Sequence, residues 1–466
     1  MSSFSGNFAT AAADPGAEIG GALEITWRHT LATGDLPPWL PSSTVMRLSS
    51  GIVSARGTSY VPRVIEWGEI QRGFDVRSSS LSPLEMTVQV ADDDQALRAA
   101  LEGGRQRGSA VTVYWVIAGN ATDYATRFVG MLDRWGYEGQ TVTLTLRTDD
   151  RMLRTYPGHT LTKSEWPYIP TPSIGLYAPL VYGTHNSSGL SGVGMLPAIC
   201  VRFQAGTAAW YVPAIAEAKQ VLAVYKNGVI ETAGVNYAVS YSYSVAGRAY
   251  TIIGFLAGHI PAATDVITCD VRGYESTGNT GSGSTAPTGT LITNPVEQIR
   301  HYLINWAEQE YLSGVWATAE DSSVIDPDAW ALASQWAERQ ALEGAGYLGG
   351  NAEAVQVGDV LNSWLETWTC FRAYWSATGR LALRVIPLEF QGYRGATDPP
   401  LLRTMDERSA AIYEQDTTNL TDRIDGAYLF DEVQGQYLSS LTVTNPAVGE
   451  DVTTSVQLPW AIRRAV

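Results

Sequence analysis

The side chains able to act as acids, bases, nucleophiles or metal ligands are scattered along this chain. Its five histidines, His29, His159, His185, His259 and His301, have no spacing that would set two of them toward one metal ion, and each reads as an ordinary structural residue. Cys200, Cys269 and Cys370 are odd in number, widely separated and without a CxxC pair. They specify neither a zinc site nor a disulfide framework, and they read as small buried hydrophobes. The run Asp92-Asp93-Asp94 has the charge to hold a hard cation, but it lacks the alternate spacing and downstream glutamate of a calcium loop, so it reads as a solvated turn capping the helix that follows. Asp149-Asp150, or Asp425 with Asp431, would supply paired carboxylates for glycoside hydrolysis if a cleft set them across one bond, and nothing in the spacing builds that cleft. HExxH, GxSxG, GxxxxGK[ST] and the EF-hand loop are all missing. On this reading there is no catalytic, cofactor-binding or metal-binding residue to name, no cofactor, and the chain is not an enzyme.

The tryptophans divide by context. Trp330, Trp336, Trp364 and Trp368 stand at helical spacing and read as core, whereas Trp27, Trp39 and Trp460, near proline-rich or terminal segments, suit contact with a neighbouring subunit. Composition points the same way. With 45% hydrophobic and only 17% charged residues, 45 glycines, 23 tyrosines and 15 tryptophans, the 466 residues suit β-rich modules with large buried contacts. A formal net charge of -16 disfavours a surface that grips nucleic acid through its phosphates. The N-terminal stretch has no basic start or apolar core, and no apolar run approaches the roughly 20 residues that span a bilayer, so neither an export signal nor a membrane anchor is expected.

The elements expected to position these residues follow from periodicity. Residues 1–22 are small and polar and read as a flexible arm. Residues 23–155 read as a barrel-like β domain, because Met86, Val88 and Val90 alternate with polar neighbours, as do Val142, Leu144 and Leu146, with a helical turn at 94–101 between strands. Pro157, Pro167, Pro170 and Pro172 mark 156–175 as a proline-rich linker. Residues 176–275 read as a second β domain with turns at Asn227-Gly228 and Ala246-Gly247, and 276–290 as a Gly/Ser-rich loop. Residues 291–390 read as an α+β domain. Asn294-Pro295 with Glu297 and Asp326-Pro327 open two helices, Val360 to Trp368 marks a third, and Thr378-Gly379 turns a hairpin. Residues 391–466 form a C-terminal β segment. The expected fold class is therefore mainly β with an α+β segment, multi-domain, with antiparallel barrels or sandwiches plus a helical region at about 294–370.

The order of several short segments resembles phage tail-tip hub proteins, the baseplate hub family that joins the tail tube to the distal tip. The strand series Ile70–Val76, Leu84–Val90, Thr126–Trp135 and Thr141–Asp150 looks like the strands of such modules. Ala178-Pro179-Leu180-Val181-Tyr182-Gly183, then Leu196-Pro197-Ala198 and Val224-Tyr225-Lys226-Asn227-Gly228, are similar to segments of tail proteins. Asn294-Pro295-Val296-Glu297-Gln298-Ile299 is similar to their N-P-x-x-I-[LI] helix start, with Arg300 departing at its last position, and the hairpin Thr378–Leu383 follows. The resemblance implies a structural virion protein at the tail tip, assembled in the host cytoplasm, forming a homotrimer or other ring around the channel. Its implied partners are a distal tail protein, the tape measure protein and tail fibre or tip proteins. DNA passes through without specific binding during ejection, which a carboxylate-rich wall would favour. Two other readings compete with it: a secreted carbohydrate-binding or glycoside-degrading β protein, suggested by the Trp and Tyr content and acidity, and a receptor-binding tip protein.

Overall fold

A computed structural model describes residues 19–27, 45–70, 83–187, 196–275, 289–308 and 325–385, apart from short gaps at 52–53, 56–57, 105, 118–123, 216–217, 351, 369 and 377. It also describes the backbone strands at 423–431, 436–444 and 453–458. The chain is mainly β, in several sheets, with few helices.

The first sheet has eight strands in the order 61–62, 45–49, 19–26, 110–117, 124–138, 141–147, 85–91 and 64–67. The alternation read from sequence puts Met86, Val88, Val90, Val142, Leu144 and Leu146 inside, each at most 1% exposed. The strand order is open and no closed barrel forms. The two end positions are nonetheless occupied by consecutive pieces of chain, Val61–Pro62 and Val64–Trp67, and the Trp67 ring lies against Gly21 of the strand Ile19–Thr26, where a Cβ would come within 2.4 Å of it. Two ladders are parallel, Leu48 with Val61 and Arg423–Tyr428 with Thr453–Leu458. The expected arm is shorter than 22 residues, because Ile19–Thr26 pairs along its whole length with Ala110–Ile117; residues 1–18 lie outside the described residues.

Residues 156–175 are folded, contrary to their expected role as a linker. Proline removes backbone donors, but Leu161, Trp166 and Ile169 are buried in the same core as Leu23 and Leu383, and the donors that remain find acceptors. Leu161 donates to Leu176 O at 2.8 Å, Gly175 to Leu161 O at 2.9 Å, and Phe203 to Tyr168 O at 3.0 Å, which ties the segment to the edge of the next sheet.

That next region holds two sheets. One runs Ile199–Gln204, Ala208–Ile215, Arg248–Phe255 and Tyr237–Val245. The other runs Thr184–His185, Ile267–Arg272, Gln220–Lys226 and Val229–Glu231, with Leu196–Pro197 beside Ile267–Arg272. Both expected hairpin turns form with positive φ, at Asn227 (54°) and Gly228 (79°) and at Ala246 (49°) and Gly247 (79°). The Gly/Ser-rich loop lies outside the described residues over 276–288.

The α+β region begins where Asn294 accepts from Val296 N at 2.9 Å and Pro295 fills the first helical position of Pro295–Tyr302. Glu297, expected to reach back to the cap, pairs instead with Arg300 at 3.2 Å. Asp326 caps Pro327–Arg339 through Ala329 N at 3.1 Å, and Val357–Thr367 is the third helix. The hairpin pairs Phe371–Trp375 with Leu381–Val385 around Gly379 (φ 71°). Trp330, Trp364 and Trp368 are buried and Trp336 is partly so, as their spacing indicates.

Candidate functional site

Of the carboxylate groups singled out in the sequence, Asp92, Asp149 and Asp150 are used inside the fold. Asp92 is buried and accepts from Leu97 N and Arg98 N, each at 2.9 Å, so it caps the helix Ala96–Gly104 from its N-terminal side. Asp150 takes Arg147 at 2.6 Å and Arg154 at 2.7 Å, while Asp149 pairs with Arg151. These two acids hold the short 3-10 turn Arg151–Arg154. Asp425 and Asp431 stand on one strand, opposite Thr442 and Gln436. Trp27, read as suited to a subunit contact, is 5% exposed and belongs to the chain's own core, directly after the paired strand Ile19–Thr26. Trp39, Trp460 and His29 lie outside the described residues.

One cluster has the residue types of a nucleophilic triad without its geometry. Ser187 and Asp270 are each 2% exposed, and His185 is 6% exposed. Ser187 Oγ donates to Asp270 at 2.7 Å, its backbone N–H donates to the same carboxylate at 3.0 Å, and Tyr225 OH donates to it at 3.0 Å. His185 Nε2 lies instead 3.1 Å from Tyr182 O and 3.3 Å from Gly346 O. A nucleophilic serine needs its proton taken by a base and a surface where substrate can reach it. Here the carboxylate occupies the serine and the imidazole faces backbone, so the cluster pins the segment at 185–187 to the strand Ile267–Arg272. The thiols are equally inert, since burial pushes Cys200 up to about 11, Cys370 up to about 12 and Cys269 further.

A second cluster joins distant segments. Tyr182 OH lies 2.9 Å from His301 Nδ1, and the Tyr274 ring stands 5.2 Å from Tyr182 and 5.0 Å from His301. The strand Leu180–Tyr182 pairs with Gly346–Leu348, and Gln298 Nε2 donates to Ile292 O at 2.9 Å and to Gly344 O at 2.7 Å. Burial lowers both His185 and His301 to about 4. A histidine kept neutral in the fold but free to protonate when unfolded makes the unfolded chain bind more protons between about pH 6.5 and 4. Stability from this source is therefore full above pH 6.5 and declines as pH falls toward 4. Urea midpoints should fall between pH 7.5 and 5, and the double variant H185Q/H301Q should lose most of that slope; an unchanged slope would refute the assignment.

A concavity lies between the proline-rich segment and the sheet that begins at Ile199. It has a volume of about 160 Å³ and is walled by Trp166, Tyr168, Trp210 and Tyr243, with Glu165 and Arg202 at its polar side. Arg202 and Trp210 are cross-strand partners, and the guanidinium carbon sits 4.5 Å from the Trp210 ring centre and 5.2 Å from that of Tyr168. Tyr243 meets Trp210 edge-on at 5.3 Å and stacks with Trp166 at 6.1 Å. Glu165 Oε2 is engaged by His159 at 2.8 Å. The sequence reading missed this site because Tyr168 and Trp166 were placed in a spacer. The usable signal was two aromatics within three residues among prolines. A second cavity, of about 30 Å³ beside Pro157 and Tyr302, has room for little more than water.

Among the described residues no group of three or more His, Cys, Asp or Glu side chains is placed to hold a metal ion, and no helix is long and apolar enough to cross a membrane. No family model matches the chain and no curated protein matches it. Among solved structures, a chain from the virion of a native gene transfer agent particle is similar. It shares 16% identity over 57% of this chain and 82% of that chain, with a TM-score of 0.24.

Proposed function

We propose that this chain is a structural subunit of a phage-like virion, at the tail tip, acting by assembly with copies of itself and with other tail proteins and not by catalysis. The observation that carries the reading is where the segments of the tail-protein resemblance meet. Ala178–Gly183 and Asn294–Ile299 are more than a hundred residues apart in the chain, yet Tyr182 reaches His301 at the end of the helix that Asn294 caps, and both segments close on 344–348. The described residues of these two segments thus contribute contacts that hold distant parts of the chain together. The chemistry-bearing clusters are likewise consumed by internal bonds.

In this reading the subunits form a ring, a homotrimer being the simplest, that joins the tail tube to distal tip proteins. The net charge of -16 suits a wall along which DNA passes without holding. The distal tail protein, tape measure protein and tail fibre or tip proteins are its neighbours. The test is the native mass of the purified 50.4 kDa chain with imaging of the assembled species. A closed ring with an axial opening is the expected result. A species that stays monomeric at high concentration and fails to incorporate into tails would overturn it.

A further inference from the structure

The cleft at Trp166, Tyr168, Trp210 and Tyr243 has features that the assembly reading does not use. Its volume of about 160 Å³ exceeds what one water needs by about tenfold and falls below the roughly 300 Å³ at which drug-sized pockets begin. That is space for one six-membered ring. Four aromatic side chains line it, and Tyr168 is 54% exposed, so its ring is presented to solvent at the mouth. The polar side offers both signs of hydrogen bond. Glu165 Oε2 is taken by His159 and Thr162, and Oε1 has no partner among the described residues. Arg202 uses Nε and one terminal nitrogen on Gln204, at 3.2 and 2.8 Å, and its Nη1 has no partner among them.

We infer that this cleft binds a single neutral pyranose ring, as a free sugar or as one residue of a glycan. The C–H faces of a pyranose pack against aromatic rings, while its hydroxyls both donate and accept, which suits a lining that carries both a carboxylate and a guanidinium. A proline ring would pack equally well, but its carbonyl only accepts and would leave Glu165 without a donor. A second cation is disfavoured by the charge of Arg202, whose guanidinium carbon lies 5.2 Å from the Tyr168 ring centre and 4.5 Å from that of Trp210.

The site is also built rigidly. Arg202 and Trp210 are fixed by cross-strand pairing, and the backbone bond from Phe203 N to Tyr168 O anchors the opposing wall. The inference does not depend on assembly, since all of these residues belong to one chain.

The test uses the full chain on a glycan array, followed by saturation-transfer NMR with glucose, galactose, mannose, rhamnose and N-acetylglucosamine. Binding of at least one sugar is expected, weakened about tenfold by Tyr168→Ala, an exposed position whose loss leaves the core intact. Arg202→Gln, with unchanged circular dichroism, should weaken it similarly. Absence of binding to every glycan and sugar, binding unaffected by both variants, or capture of a decaproline peptide in place of sugars would each overturn the inference. Ring formation measured on the same samples reports separately on the assembly reading.

Discussion

Trp364→Ala should lower the unfolding free energy by about 3–5 kcal/mol, enough to melt the α+β region at temperatures where the parent is folded. The indole is fully buried, stacks on Phe371 with centroids 5.3 Å apart, and donates through Nε1 to Pro295 O at 3.1 Å. Truncation leaves a cavity between the helix Val357–Thr367 and the hairpin, and it removes a side-chain donor from a carbonyl in the first turn of the helix Pro295–Tyr302. The two costs add in the same direction. Trp364→Phe separates them by restoring much of the volume without the N–H, and should recover more than half of the loss. Urea titration followed by tryptophan fluorescence and far-UV circular dichroism gives the comparison. Leu332→Ala on the neighbouring helix, at a position 63% exposed, should change stability by less than about 0.5 kcal/mol. A loss at Trp364 no larger than that at Leu332 would mean the tryptophan does not anchor this core.

Gly183→Ala should cost a similar amount for a different reason. Gly183 ends the segment Ala178–Gly183 at φ 70°, and a Cβ there would stand 2.2 Å from Gly344 O and 2.9 Å from Ala345 Cα. Both obstacles are backbone, so no rotamer change relieves them. Left-handed strain of about 1–2 kcal/mol for a residue with a Cβ adds to overpacking of about 1–3 kcal/mol. The alternative is separation of the strand Leu180–Tyr182 from Gly346–Leu348, which would also pull Tyr182 from His301. Thermal unfolding of Gly183→Ala beside Gly206→Ala discriminates the causes. Gly206 has nearly the same φ, 67°, with nothing near its Cβ position, so its loss should reflect strain alone and be the smaller. Equal losses at the two positions would remove the close-approach argument.

Much of the local structure was legible in the sequence because it is determined by neighbours in the chain. Alternation at Met86, Val88 and Val90 sets which face of a strand is buried. Asn294-Pro295 and Asp326-Pro327 begin helices because cap and first-turn proline act within a few residues, and Asn227-Gly228 turns a hairpin because both residues tolerate positive φ. The placement of Trp330 and Trp364 in a core follows from helical spacing by the same logic.

The failures share a cause as well. Proline content suggested a spacer at 156–175, since local propensity registers the missing donors. It does not register that Leu161, Trp166 and Ile169 bury against a sheet formed later in the chain, and that burial outweighs propensity. Trp27 suited a subunit contact by its place near a proline-rich segment, but it follows directly on the paired strand Ile19–Thr26 and is buried. The aromatic cleft was invisible for the same reason, as its walls come from 165–168, 202–210 and 243–245 and meet only through strand pairing.

By itself, then, the sequence determined a mainly β chain with a helical region near 294–370 and its turns and helix starts, all of which depend on interactions a few residues long. Tertiary structure alone decided that the acids at 149–150 meet arginines, that Ser187, Asp270 and His185 do not form a triad, and that an open aromatic cleft exists. Those outcomes depend on which surfaces meet, set by long-range packing and register, and no local pattern encodes that meeting.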